Sequence, residues 1–280
     1  MRILSSNTII HAVKELCIRT ATCLSNEIID SYETAYGNET DQSGREVLRQ
    51  IMENATIARE DGIPACQDTG MAIFFVEMGN RLVIEDGLLQ DAINEGVRQG
   101  YREGYLRKSI VSDPFRRVNT GDNTPAVIYT DFVEGDTLRL RLMQKGFGSE
   151  NMSRIYMLTP SDGKEGVIRA VLETVSEAGP NPCPPLYIGI GIGGTMEMAG
   201  ILSKKALFRN PGQRNPDPEY GKLEEFLLGE INRLGIGPGG YGGSCTAFDV
   251  FIETYPTHIA GLPVGITLCC HSLRHGEVVL

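Results

Sequence analysis

The chain has 280 residues, 41% of them apolar and 22% charged, and a net charge of −10 at neutral pH. That length can bury a substantial core, but Lys and Arg are not clustered enough for a nucleic-acid backbone, and no apolar run nears the roughly 20 residues that span a bilayer. The opening segment MRILSSNTIIHAVKEL breaks its apolar residues with polar ones, unlike a signal peptide, so a cytoplasmic protein with neither nucleic acid nor membrane as partner is expected.

Ile9, Ile10, Val13, Leu16, Cys17 and Leu24 recur at helical spacing, which places Cys17 on an apolar stripe and Cys23 close to it; both read as core residues. A second helix is predicted from about Arg45 to Arg59 and ends at Gly62 and Pro64, where Ala65-Cys66-Gln67-Asp68-Thr69-Gly70 opens as a loop. Strands follow at Ala72–Met78 and Arg81–Glu85, then a helix from Leu88 to Gly104 weakened by Gly96 and Gly100. After the polar loop Asn119–Pro125, Val127–Val133 and Thr137–Met143 read as a hairpin around Gly135-Asp136.

Val167, Ile168, Val171, Leu172 and Val175 mark a helix that stops at Gly179-Pro180, ahead of Asn181-Pro182-Cys183-Pro184-Pro185. Leu186–Ile192 is a short apolar strand running through Gly193-Gly194 into a helix from Met196. A proline-rich loop at residues 210–218, a helix at Tyr220–Leu234, and strands at Thr246–Thr254 and Leu262–Cys269 complete the chain. Strands and helices mix without strict alternation, and neither repeat nor linker stands out. The expectation is therefore α+β: a single mixed domain over residues 1–280, with an N-terminal helical part and mixed or antiparallel strands.

Seven cysteines, an odd number, argue against a disulfide framework, and the lack of any C-x-x-C pair removes most zinc-ribbon and thioredoxin readings. Three of the seven sit in irregular backbone. Cys66 follows a Gly/Pro-marked helix end, Cys183 lies between prolines, and Cys270 ends a strand ahead of His271. Three such thiolates can hold three irons of a [4Fe–4S] cluster, or they can be ordinary loop cysteines. The pattern Gly189-x-Gly191-x-x-Gly194 formally fits a dinucleotide fingerprint and so admits a nicotinamide-dependent dehydrogenase. The acidic residue that should follow about 20 positions later is missing, and close helix–strand packing explains the glycines better.

The strings CQDTGMAIFFVEMG, LRKSIV, NTGDNTPAVIY, KGFGSENMSR, AGPNPCPP, GIGIGGTMEMA, ALFRNPGQRNPDPEYGKLE, GIGPGGYGGSCTAFDV and PTHIAGLPVGITLCCHSLRH occur in this order. Together they resemble the alpha subunit of class I, iron–sulfur fumarate hydratase and of the related L-tartrate dehydratase. The resemblance implies a [4Fe–4S] hydro-lyase that reversibly hydrates fumarate to malate, or alternatively an L-tartrate dehydratase, with Cys66, Cys183 and Cys270 as ligands; Cys245 and Cys269 are left structural. It also implies Gln67 at the substrate, Asp68 in proton transfer, His258 on the substrate side and Arg107 on a carboxylate. Asp68 in Asp-Thr-Gly equally suits an Asx-turn. The Gly146–Ser149 loop, Gly148 included, could offer backbone N–H groups to a carboxylate or be a simple turn. The implied partners are a dicarboxylate substrate, a beta subunit carrying a Lys-Gly-Met segment, and a second copy of the alpha subunit. A non-catalytic assembly module is the reading from another class.

Overall fold

The computed structural model describes residues 1–280. The expected α+β class holds, with mixed sheets, and the chain resolves into two compact units, each assembled from several segments. No helix is long and apolar enough to cross a membrane.

The first unit comprises Met1–Leu24, Ala55–Phe147 and Arg274–Leu280. It contains β1 (Arg2–Ser5), α1 (Ser6–Thr22), the end of α3 (Gln42–Asp61), β2 (Met71–Gly79), β3 (Leu82–Glu85), α4 (Leu89–Glu103), β4 (Val127–Val133), β5 (Leu138–Lys145) and β10 (His275–Val279). Ile9, Val13 and Leu16 of α1 and Ile93 and Val97 of α4 form one core with Phe74, Val76, Leu140 and Leu142 of the sheet. Gly96 and Gly100 weaken α4 as an isolated helix, but they are where α1 packs. A Cβ at Gly96 would lie 2.5 Å from Val13 Cβ, and one at Gly100 2.8 Å from Cys17 Cβ.

The hairpin expected of β4 and β5 is not formed. Both strands exist, but the sheet order is β10-β5-β2-β4: β2 lies between them, parallel to β4 and antiparallel to β5. The apolar run of β2 is buried and satisfied on both edges. The β4–β5 connection instead wraps the end of β2, where Gly79 N–H donates to the Thr137 carbonyl (2.9 Å) and Arg81 N–H to the Gly135 carbonyl (2.8 Å). A Cβ at Gly79 would sit 2.7 Å from the Gly135 carbonyl, so this wrap needs glycine there.

The second unit comprises Ser25–Asn54 and Gly148–Leu273. Its sheet runs β6-β9-β7-β8, from β6 (Arg154–Leu158), β9 (Leu262–Cys269), β7 (Leu186–Gly193) and β8 (Ala247–Tyr255). Ile188 and Ile190 of β7 face α6 (Gly163–Ala178) and α8 (Pro218–Arg233) through Val171, Val175, Leu227 and Ile231. The alternate residues of β7 are glycines, and α7 (Met196–Ala206) lies on that face. Cβ atoms at Gly189 and Gly191 would fall 1.9 and 2.1 Å from the Ser203 and Ala199 carbonyl oxygens. The glycine pattern is thus a helix seat, with no room for a dinucleotide over the strand.

The motif ALFRNPGQRNPDPEYGKLE is also architectural. Arg209 pairs with the fully buried Glu224 of α8 (2.6 Å) and Arg214 with Asp249 of β8 (2.7 Å), pinning the proline-rich loop to both elements. In α2 (Asn26–Asn38) and its C-cap Glu39, which the sequence did not reveal, Glu39 accepts backbone N–H groups from Thr40, Asp41, Ser244 and Cys245. Burial works against its charge, but these donors hold its carboxyl below the usual range.

Candidate active site

In the first unit, α3 ends at Asp61 and the chain turns at Gly62 (φ 64°) into the Cys66 loop. Cys66 is half-buried, Gln67 exposed and Asp68 half-buried. The Asx-turn is present: Asp68 Oδ1 accepts the Gly70 N–H at 3.0 Å. Its other oxygen, Oδ2, accepts the Phe147 N–H at 2.7 Å. The carboxylate is therefore held from two sides in one orientation, which suits a turn former and equally a positioned acid–base group. That bond also decides part of the expected N–H loop. Residues Phe147–Glu150 form the short helix α5, and its first N–H already belongs to Asp68.

Arg107 is exposed, but its main chain is tied to the Asp68 turn, because Thr69 Oγ1 donates to the Arg107 carbonyl at 3.0 Å. The polar loop supplies the brace. Asn123 Oδ1 accepts from Ser109 N–H (2.8 Å), and its Nδ2 donates to the Gly70 carbonyl (3.2 Å). Beneath them, the buried Tyr101 hydroxyl donates toward the Thr69 and Gly70 carbonyls at 2.9 and 3.1 Å. Burial pushes its ionisation far above the usual phenol range, so it stays a donor.

Two buried cations lie beside this turn. Lys145 ends β5, fully buried, with Nζ donating to the Gly146 carbonyl (3.2 Å). Arg274 is 1% exposed, and its Nε and Nη1 are buried without a hydrogen-bond partner. A guanidinium keeps its charge, and a buried one needs acceptors. Asp68 Oδ2 and Arg274 Nη2 both flank Gly146, at 3.2 and 3.4 Å from where its Cβ would be. An arginine just before a strand gives no local sign of such burial.

In the second unit, Cys183 is exposed and Cys270 half-buried. Cys183 has φ of 58°, between prolines that have no N–H to donate. The two loops meet: His271 N–H donates to the Cys183 carbonyl at 3.3 Å, and His271 Nδ1 lies at the same distance from it. Gly148 joins this group, since its Cβ would lie 3.8 Å from the Asn181 carbonyl.

His258 is not brought here. It is exposed in the β8–β9 loop, with Nδ1 accepting the Ala260 N–H (3.1 Å), and lines a cleft of about 430 Å³ with Lys164, Val167, Tyr220 and Leu223. Cys270 follows the other end of β9, which at about 3.3 Å per residue is roughly 23 Å away along the strand. The remaining cysteines divide differently from expectation. Cys17 and Cys269 are buried, and Cys245 is half-buried with its thiol pushed up to about 12 by burial and then by Glu39. Cys23, read as a core residue, is exposed because it caps α1 as the chain turns away.

The donor set fits a polynuclear iron–sulfur group. Cys66, Cys183 and Cys270 all sit in loops with accessible or half-buried thiols, and thiolates are the ligands such clusters take. No three or more His, Cys, Asp or Glu side chains are grouped to hold a single metal ion. A cluster asks for a different arrangement, because each thiolate binds its own iron.

A family described as fumarate hydratase (Fumerase) matches residues 10–279. A protein of Methanocaldococcus jannaschii called putative L(+)-tartrate dehydratase subunit alpha is 42% identical over 268 residues, covering 94% of this chain and 94% of that protein. The L(+)-tartrate dehydratase subunit alpha of Escherichia coli O157:H7 is 32% identical over 278 residues, covering 98% of this chain and 91% of that protein. A match over nearly the whole length makes this chain a member of the fumarate hydratase (Fumerase) family.

Proposed function

We propose that this chain is the alpha subunit of a [4Fe–4S]-dependent hydro-lyase acting on a four-carbon dicarboxylate, in the reducing environment of the cytoplasm. The observation that carries this reading is the set of three cysteines in loops, one of them followed two residues later by a carboxylate held from two sides. Hydration of fumarate to malate is the first reading. Dehydration of L(+)-tartrate is the second, favoured by the names of the relatives.

In this reading Cys66, Cys183 and Cys270 would hold the cluster. When bound, such a cluster supplies a Lewis acid that polarises the substrate hydroxyl. The chain's own residues do the rest. Asp68, fixed by the Gly70 and Phe147 N–H groups, exchanges the proton at the neighbouring carbon. Gln67 is its exposed neighbour in the same turn and hydrogen-bonds the substrate. Arg107 binds one carboxylate, and Arg274 adds buried positive charge beside Asp68. Gly148 keeps backbone close to the Cys183 loop and unobstructed by a side chain. His258, exposed in the β8–β9 loop, takes its role on the substrate side from the family resemblance.

A dicarboxylate needs more paired charge than these residues give, because burying an unpaired carboxylate costs several kcal/mol. The beta subunit is proposed to add the missing cations and close the site, and the alpha subunit to associate with its own copy. The purified chain alone is expected to be inactive, and anaerobic mixing with the beta subunit to give turnover on fumarate or L-tartrate. In that complex Asp68→Asn should lower kcat on the order of 10²–10⁴-fold with cluster content kept. Full turnover by the alpha chain alone, or near-normal turnover of the mutant complex, would contradict the reading.

A further inference from the structure

Cys183 holds a left-handed backbone conformation, φ 58°, which is costly for a residue with a Cβ. Its neighbours Pro182 and Pro184 have no N–H to donate, and the Pro184 carbonyl accepts the Gly239 N–H at 2.8 Å. Its own N–H turns back to the Pro180 carbonyl at 3.1 Å. Its carbonyl is met by a residue of the other loop. His271 reaches it with its main-chain N–H and with Nδ1, both at 3.3 Å. A carbonyl only accepts, so Nδ1 must carry the proton.

His271 is itself anchored from behind. Its carbonyl accepts the Tyr32 hydroxyl at 2.6 Å and the Leu273 N–H at 3.0 Å. Tyr32 is fully buried in α2, its ring 5.1 Å from that of Phe248. The order of support therefore runs from the α2 core through His271 to Cys183, and passes beside Cys270.

We propose that His271 is a positioning residue that sets the Cys183 loop against the Cys270 loop before any cluster is present. This rests on the reading of Cys183 and Cys270 as ligands. Its physical content is preorganisation: the strained loop is ordered during folding, so cluster binding need not supply the ordering free energy, and an assembled cluster is lost more slowly.

The test uses the whole chain, first without cluster and kept anaerobic. His271→Ala removes the ring donor, His271→Asn keeps a short amide donor near Nδ1, and Tyr32→Phe removes the anchor behind. Amide hydrogen exchange is followed in peptides spanning residues 179–187. One lost hydrogen bond predicts exchange about five- to tenfold faster in His271→Ala, with partial restoration in His271→Asn and an intermediate rise in Tyr32→Phe. After reconstitution, chelator-driven loss of visible absorbance should follow the same order. Unchanged exchange in both His271→Ala and Tyr32→Phe would overturn the proposal. So would equal loss in the alanine and asparagine variants, which is what a merely space-filling histidine would give. If exchange rises as predicted but Cys183→Ser leaves iron content untouched, His271 still orders the loop and it is the ligand reading that fails.

Discussion

Cys66, Cys183 and Cys270 stood out in the sequence because Gly, Pro and a strand end mark their surroundings as irregular, and those marks are local. What each thiol experiences is not local. Cys23 caps α1 in solvent, Cys17 six residues earlier is sealed in the core, and Cys245 is half-buried beside Glu39. Alkylation at pH 8 followed by mass spectrometry should therefore label Cys23 within minutes and leave Cys17 and Cys245 unlabelled until the chain unfolds. Rapid labelling of Cys245 would contradict its raised thiol pKa. Asp122 offers a second test. Partial burial opposes its charge, but hydrogen bonds from Thr124 and the Arg98 guanidinium bring its carboxyl down to about 2. A folded value below the unfolded one stabilises above pH about 4, and that stability is lost as pH falls towards 2. Asp122→Asn should then cost on the order of 1–2 kcal/mol at pH 7, and the gap from the parent should shrink steadily towards pH 3 in urea titrations. A gap independent of pH would assign the loss to geometry instead of charge.

At the scale of elements, most helices and strands were legible from hydrophobic period and from Gly and Pro at their ends. Pairing was not. β4 and β5 read as a hairpin because Gly135-Asp136 joins two strand-like runs, but β2 takes the place between them. Nothing local announces a partner some fifty residues earlier. Glycines carried a clearer message once seen against their neighbours. Those of β7 alternate with isoleucines because one face meets α6 and α8 through side chains and the other meets α7 through backbone. Gly191→Ala would drive a methyl into the Ala199 carbonyl, 2.1 Å away. Overpacking against backbone predicts a loss of about 3 kcal/mol or more. A thermal melt within a few degrees of the parent would show that α7 can retreat from the strand.

For the whole molecule, the family resemblance supplied functional roles that spacing could not, and the structure sorts them. Asp68, Gln67 and Arg107 share one braced turn region, whereas Cys183, Cys270 and Gly148 share another group of loops. His258 sits at the far end of β9, and Arg274, Lys145 and His271 emerge as buried or bridging groups, an environment that no local sequence pattern shows. Much of the glycine and arginine content of these strings is architecture, as Arg209–Glu224 and the β7 glycines show, so a match across them identifies the fold as much as the chemistry. If this chain carries a cluster on three particular thiolates, iron content after anaerobic reconstitution of the seven Cys→Ser variants reports it without any assay of turnover. Iron and the brown absorbance should collapse for Cys66→Ser, Cys183→Ser and Cys270→Ser and persist for the variants at Cys17, Cys23, Cys245 and Cys269. Retention of full iron in any of the first three, or equal collapse in Cys23→Ser or Cys245→Ser with the fold intact, would contradict it.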